Sequence, residues 1–251
     1  MTYSDLKADF DQAQKYLDIL EPDGNFTFQT FSDDARNRAP HLTRILHGKL
    51  DEHFELLSHL NRQGAGVFLA INRTNLLGRG KANITGVRAV FADLDGAPIQ
   101  PVIECPCEPH MIVESSPGRW HPFWLVDQNF DKDQFTPLQT ILANKFNGDP
   151  QVKDLPRVMR SPGFYHNKPD KNGTTKEPFM TRIEQTVDLP RYSLKSLLSA
   201  FPPIVNKHQD EKSGAKREKA YSSDEVETAL TYLDPSQRDL WIRTGLALKS
   251  N

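Results

Sequence analysis

The chain has 251 residues, with 31 Lys and Arg against 33 Asp and Glu, a formal charge of −2, and only 2 cysteines. That length supports one large domain, or one with a small appendage, and the near-even charge excludes a uniformly basic nucleic-acid coat while allowing a local basic groove. So few cysteines, with no signal peptide and no apolar run of membrane length, lead us to expect a soluble cytoplasmic protein with no membrane partner.

Ser4 to Leu20 reads as an amphipathic helix with Leu6, Phe10, Ala13, Leu17 and Leu20 on one face and Ser4 as its N-cap. Phe26 to Phe31 alternates like a strand. Lys49 to Gln63 is a helix carried by Leu50, Phe54, Leu57 and Leu60 and stopped at Gly64, and Val67 to Ile71 is a buried strand. The apolar run from Val87 to Ala92 is a further buried strand, and it closes on Asp93-Leu94-Asp95.

In a strand, side chains two apart emerge on one face, roughly 6.6 Å from each other. Both carboxylates then look at one site, where they repel by roughly 2–3 kcal/mol at an effective dielectric near 20. A divalent cation relieves that repulsion, and an all-oxygen donor set suits Mg²⁺ or Mn²⁺. The alternative is a simple turn, since Asp95-Gly96 is a turn dipeptide and Pro98 follows.

Next come two strands, His110 to Glu114 and His121 to Val126, joined by Ser115-Ser116-Pro117-Gly118-Arg119-Trp120. The connection offers what a triphosphate needs: hydroxyls on Ser115 and Ser116, backbone N–H groups freed by Gly118, the fork of Arg119, and His121 at the root of the second strand. An ordinary Ser-Pro-Gly turn is the plainer reading. Cys105, Cys107 and His110 are too close together, and too interrupted by proline, for zinc, so no zinc is expected. Phe135, Leu138, Ile141, Leu142 and Phe146 mark a helix capped at Thr136 with Pro137 at its first position. Between Asp149 and Lys168 lie Lys153, Arg157, Arg160 and His166, with Arg157 and Met159 on one face of a short strand and Val158 and Arg160 on the other. Phe179 to Glu184 is a strand and Ser193 to Ala200 a short helix. Interleaved helices and strands predict an α/β domain around an open mixed sheet.

Phe91-Ala92-Asp93-Leu94-Asp95, the Ser116-Pro117-Gly118-Arg119-Trp120-His121 segment, and Gly148-Asp149 followed by Arg160-Ser161-Pro162-Gly163-Phe164-Tyr165-His166 together resemble the archaeo-eukaryotic primase superfamily. The likeness is strongest to the RepB-like primase-polymerases of plasmids, phages and other mobile elements, and it covers roughly residues 24–200. It implies a catalytic core resembling an RNA-recognition domain. It implies that Asp93, Asp95 and Asp149 hold two Mg²⁺ or Mn²⁺ ions, with Asp154 the second choice for the third carboxylate. It further implies that Ser116, Gly118, Arg119 and His121 grip an incoming dNTP or NTP, with Arg160 and His166 reaching it from the opposite side. Trp120 and Tyr165 could stack on a base or simply pack; Arg157 and Lys168 steer template or sit as surface charges. The implied activity is template-directed primer synthesis and extension on single-stranded DNA. A non-catalytic single-strand-binding module and a metal-dependent nuclease are the competing readings.

Residues 1–203 form the expected catalytic domain. Residues 204–223 have linker composition, polar and almost free of large apolar groups. Residues 224–251 turn helical again around Leu230, Leu240, Trp241 and Leu246, and the uncapped end at Asn251 leads us to expect that the natural protein continues; the resemblance implies a helical primase module and then a helicase region.

Overall fold

Two antiparallel four-stranded sheets organise this computed structural model, which describes residues 5–36, 39–169, 174 and 176–203. The expected linker over 204–223 and the helical segment over 224–251 lie outside the described residues. Among the described residues no helix is long and apolar enough to cross a membrane.

The chain opens with α1 (Phe10–Leu20), whose Ala13, Tyr16, Leu17 and Leu20 are buried. The helix starts later than its apolar pattern suggests. Asp9, not Ser4, is the N-cap, accepting from the Gln12 N–H at 3.0 Å, and Asp9 in turn donates its own N–H to the Gly163 carbonyl at 2.8 Å. That tether keeps Leu6 and the residues up to Asp9 out of the helix. Then follow β1 (Phe26–Ser32), β2 (Arg44–Gly48), α2 (Leu50–Arg62) and β3 (Ala65–Ala70). These strands, with β9 (Val158–Arg160) at the edge, make the first sheet in the order β2-β1-β3-β9. Its inner row, Leu46, Phe28, Leu69 and Met159, runs straight across all four strands into the main core.

A two-stranded ribbon of β4 (Arg73–Thr74) and β5 (Ile84–Gly86) leads to β6 (Ala89–Phe91), the short α3 (Gln100–Ile103), the hairpin β7 (Met111–Ser116) and β8 (Arg119–Leu125), and α4 (Phe135–Phe146). After β9 come β10 (Tyr165–His166), β11 (Phe179–Met180), β12 (Arg182–Thr186) and α5 (Leu194–Ala200). The second sheet runs β12-β7-β8-β6. Helices cover both its faces: Phe123 meets Tyr16 of α1 edge-on at 5.9 Å, while on the other side Trp124 stacks on Phe146 of α4 at 5.6 Å. Two buried faces explain the unbroken apolar runs of β6 and of Pro122 to Leu125 in β8.

The α/β class agrees with the sequence, but the strands pair antiparallel, and Val126 with Tyr192 is the sole parallel bridge among the described residues. Two finer expectations change. The strand expected over Phe179 to Glu184 divides at Thr181, because the Thr181 N–H turns to the Phe164 carbonyl at 3.0 Å and its hydroxyl to Ser115. Phe179 and Met180 then pair with β10, and Arg182 onward with β7. In α4 the cap is Gln134 rather than Thr136, whose hydroxyl donates to the Lys153 carbonyl at 3.0 Å. Pro137 is tolerated there because the first helical N–H groups have no intrahelical acceptor.

Candidate active site

The regular pairing of β6 stops at Phe91, yet the ladder to β8 does not. Ala92 donates to the Pro122 carbonyl at 3.2 Å, Leu94 donates to Trp120 at 2.9 Å, and Leu94 and Trp120 form a bridge in the same register as Phe91 and Phe123. That register sets Asp93 opposite His121 and Asp95 opposite Arg119, all on one face. His121 Nε2 stands 3.5 Å from Asp93 Oδ1, and Arg119 is ion-paired with Asp95. Each carboxylate therefore faces a cross-strand nitrogen base or cation, the arrangement that relieves two neighbouring negative charges.

His121 is buried and its Nδ1 has no hydrogen-bond partner. Burial pushes the Asp93 carboxyl up, but the His121 hydrogen bond and charge, with Arg119 and Arg157, more than offset that and hold it below its usual value. Asp93 is therefore a carboxylate at neutral pH.

The backbone of Asp149 docks on the Asp93 strand from the end of α4. Asn147 turns the chain in the left-handed region, at φ 53°, and the Asp149 N–H then donates to the Asp93 carbonyl at 2.8 Å. Gly148 makes this approach possible, since a Cβ there would lie 2.8 Å from that same Asp93 oxygen. Asp149 Oδ1 accepts from the Gln151 N–H at 2.8 Å, whereas Asp154 is ion-paired with Arg157. Among the described residues no three His, Cys, Asp or Glu side chains close into a metal cage. The donors present at Asp93 and Asp95 are nonetheless hard carboxylate oxygens on one face. This fits Mg²⁺ or Mn²⁺ in an open site, where one or two carboxylates are supplemented by water and substrate phosphates.

The turn between β7 and β8 differs from its sequence reading in one respect. The Gly118 N–H is not free, for it donates to Glu114 Oε1 at 3.0 Å, and Glu114 is also ion-paired with Arg182 at 2.6 Å. Gly118 matters instead through its φ of 71° and the open space around it, where a Cβ would meet nothing within 4 Å. Ser115 is buried and donates to the Arg119 carbonyl, leaving Ser116 and Arg119 as the accessible groups of the turn.

The remaining expected residues lie on β9 and β10, and of these His166 approaches the hairpin. His166 Nδ1 lies 3.0 Å from the Ser115 carbonyl, an oxygen that only accepts, so Nδ1 carries the proton. Its Nε2 has no hydrogen-bond partner. Burial, with the Arg160 charge next, pushes the ring's pKa down to about 4, so it is neutral at pH 7 with Nε2 as an acceptor. Arg160 is paired with Asp33 at 2.6 Å, and Asp33 also accepts the Asn167 N–H at 2.8 Å. Asn61 closes the same network, accepting from the Tyr165 N–H at 2.8 Å and donating to the Tyr165 and Ala65 carbonyls. Asp33, Asn61 and Glu114 escaped the sequence reading, since single polar residues next to other polar residues carry no motif. Buried polar side chains spent on backbone groups are the signal that identifies them.

Residues 93–199 match the family model of the RepB DNA-primase N-terminal domain. No curated protein sequence matches the chain significantly. Among solved structures, the primase-polymerase AEP domain of cyanophage S-2L superimposes with a TM-score of 0.59 at 19% identity, over 78% of this chain and 100% of that one. Primase RepB' gives a TM-score of 0.56 at 14% identity, over 81% of this chain and 63% of that one. The catalytic domain of RepB' in complex with initiator DNA gives 0.53 at 16% identity, over 82% and 98%. At these identities the superpositions establish the fold.

Proposed function

From a chain that carries a RepB-type primase segment on an archaeo-eukaryotic primase fold, we propose a DNA primase that makes primers de novo on single-stranded DNA and extends them by nucleotidyl transfer. The observation that carries this reading is the register that sets Asp93 against His121 and Asp95 against Arg119, with Asp149 docked on the Asp93 backbone. A pure binding module gains nothing from placing carboxylates where a polyanion must lie.

In the reaction, a 3′-hydroxyl gives up its proton to solvent water while its oxygen forms a bond to the α-phosphorus of a bound nucleoside triphosphate, as the bond from that phosphorus to the α,β-bridging oxygen breaks and pyrophosphate leaves. Asp93 and Asp95, assisted by Asp149, would hold Mg²⁺ or Mn²⁺, which when bound supplies charge neutralisation at the transferring phosphoryl group. Arg119 exchanges Asp95 for a phosphate oxygen, offering the same planar fork to either. His121 donates from Nε2 to the triphosphate while facing Asp93. The Ser116 hydroxyl adds a donor, and Gly118 keeps the mouth of the turn clear. His166, an acceptor at Nε2, receives a hydrogen bond from a nucleotide hydroxyl. Arg160 is a positioning residue: through Asp33 it fixes Asn167, and with it the backbone beside His166.

The test is synthesis on an unprimed single-stranded DNA template with labelled nucleotides and Mg²⁺ or Mn²⁺, beside Asp93→Ala/Asp95→Ala. Short products from the wild type alone support the proposal. Extension of a supplied primer without initiation reduces it to a polymerase, and DNA binding without any synthesis replaces it with the binding module.

A further inference from the structure

The first sheet has a second row of side chains that its core does not use. One residue out of step with Leu46, Phe28, Leu69 and Met159, the opposite face carries Ile45, Gln29, Phe68 and Arg160 in register across all four strands. Phe31 lies beside this row, opposite Gly66. The ribbon of β4 and β5 covers part of the face: Thr74 shares a hydrogen bond with Thr27 at 2.6 Å, and Arg79 donates to Gln29 Oε1. Beyond the ribbon the surface stays open. Phe31 and Phe68 are both partly exposed and meet edge to face at 5.3 Å, and Ile45 is 46% exposed.

Two guanidinium groups lie over these rings. Arg79 stands 5.6 Å from the Phe31 centroid and Arg160 4.7 Å from that of Phe68. Arg160 is neutralised by Asp33, but Arg79 makes no ion pair among the described residues. Partly exposed aromatic rings beside an uncompensated cation, on a sheet face, are the combination that holds single strands: bases stack on rings or guanidinium planes, and phosphates meet the cation. Arg160, over Phe68, also anchors the segment leading to His166, so this face is continuous with the candidate site.

We propose that this face of the first sheet, Phe31 and Phe68 with Arg79, is the track on which single-stranded DNA template is stacked and led to the site. The assignment rests on the template-directed reading above and locates the template within it. Its test uses the whole chain and a 5′-fluorescein oligothymidylate, with binding followed by fluorescence anisotropy and synthesis measured separately. Phe31→Leu and Phe68→Leu keep apolar bulk but lose the ring, and each is expected to weaken binding by about 5- to 150-fold, the range for one lost base stack. Phe68→Tyr is expected to bind like the wild type. Arg79→Gln, a surface change, is expected to flatten the dependence of log Kd on log salt by about 0.7, one phosphate contact. Leu variants and Arg79→Gln that bind as the wild type does, while the wild type synthesises primers, overturn the track and leave the primase reading standing. A wild type that neither binds the oligonucleotide nor synthesises overturns both.

Discussion

The two sheets each contain an arginine–aspartate pair, and the two pairs have opposite consequences. In the first sheet Arg160 and Asp33 are 13% and 2% exposed, with Asp33 further committed to the Asn167 N–H and the guanidinium held over Phe68. At the edge of the second, Arg119 and Asp95 are 45% and 66% exposed. A solvated pair contributes only about 0–1 kcal/mol, so a phosphate can displace Asp95 from Arg119 at little cost. Removing one partner of a buried pair costs about 3–5 kcal/mol, because it strands the other charge away from water. The same chemistry therefore makes a fixed brace in one sheet and an exchangeable ligand group in the other.

The sharpest way to break this comparison is to remove the carboxylates on the exchangeable side. Asp93→Ala/Asp95→Ala is expected to lower nucleotide incorporation by about 10³-fold or more, equivalent to ~4 kcal/mol of transition-state stabilisation, with little change in thermal unfolding. Unfolding of that variant at ordinary temperature would show that the pair is part of the scaffold instead.

The two arginines can then be set against each other directly. Arg160→Ala is expected to destabilise the fold by about 3–5 kcal/mol in urea unfolding. Arg119→Ala is expected to change stability by less than about 1 kcal/mol while lowering incorporation by about 10²-fold through a lost charge-assisted phosphate contact. If Arg119→Ala unfolds the protein and Arg160→Ala does not, the assignment of brace and ligand is reversed.

The exchangeable side was also the more legible one. The alternation of Phe91, Asp93 and Asp95 is a period-two signal, and the order Ser116, Gly118, Arg119, His121 is compact, so a local pattern brought both into view. What sequence could not supply was their mutual register, which fixes Asp93 on His121 and Asp95 on Arg119 and depends on pairing across β6 and β8. The brace was read only in half. Arg160 stood out as part of a basic run, but Asp33 lies 127 residues away in sequence, in a polar stretch without periodicity. The start of α1 failed for a related reason: its cap is chosen by a tertiary bond from Asp9 to Gly163, which no local propensity encodes. Helix and strand content was legible because it follows apolar spacing, whereas the boundaries followed contacts between distant segments.

Acid offers a third comparison, because His166 sits in the braced region. Its folded pKa of about 4, depressed by burial ahead of Arg160, lies below the ordinary histidine value of ~6.5. The unfolded chain therefore binds a proton that the folded one refuses between those values. Stability is whole above about pH 6.5 and falls as the pH drops towards 4. Between pH 7 and 5 the wild type is expected to lose ~2 kcal/mol more than His166→Gln does, as read by urea unfolding. Equal losses in the two proteins would mean that His166 is as easily protonated in the folded state. Asp93 acts lower on the scale: with its carboxyl held below the usual value, its contribution is present above the unfolded pKa of about 3.9 and is lost only as the pH falls through the folded one.

The smallest expected effect tests whether position or charge decides membership of the site. Asp154 and Arg157 are a third aspartate–arginine pair, 49% and 31% exposed, and Asp154 lies only five residues beyond Asp149. By exposure this pair resembles Asp95 with Arg119, but only Asp149 has its backbone docked on Asp93. Asp154→Ala is therefore expected to change stability by less than about 1 kcal/mol and leave incorporation near the wild-type rate, while Asp149→Ala abolishes it. The reverse result would mean that the Asp149 N–H bond to Asp93 only closes the loop after α4, and that Asp154, released from Arg157, supplies the third carboxylate.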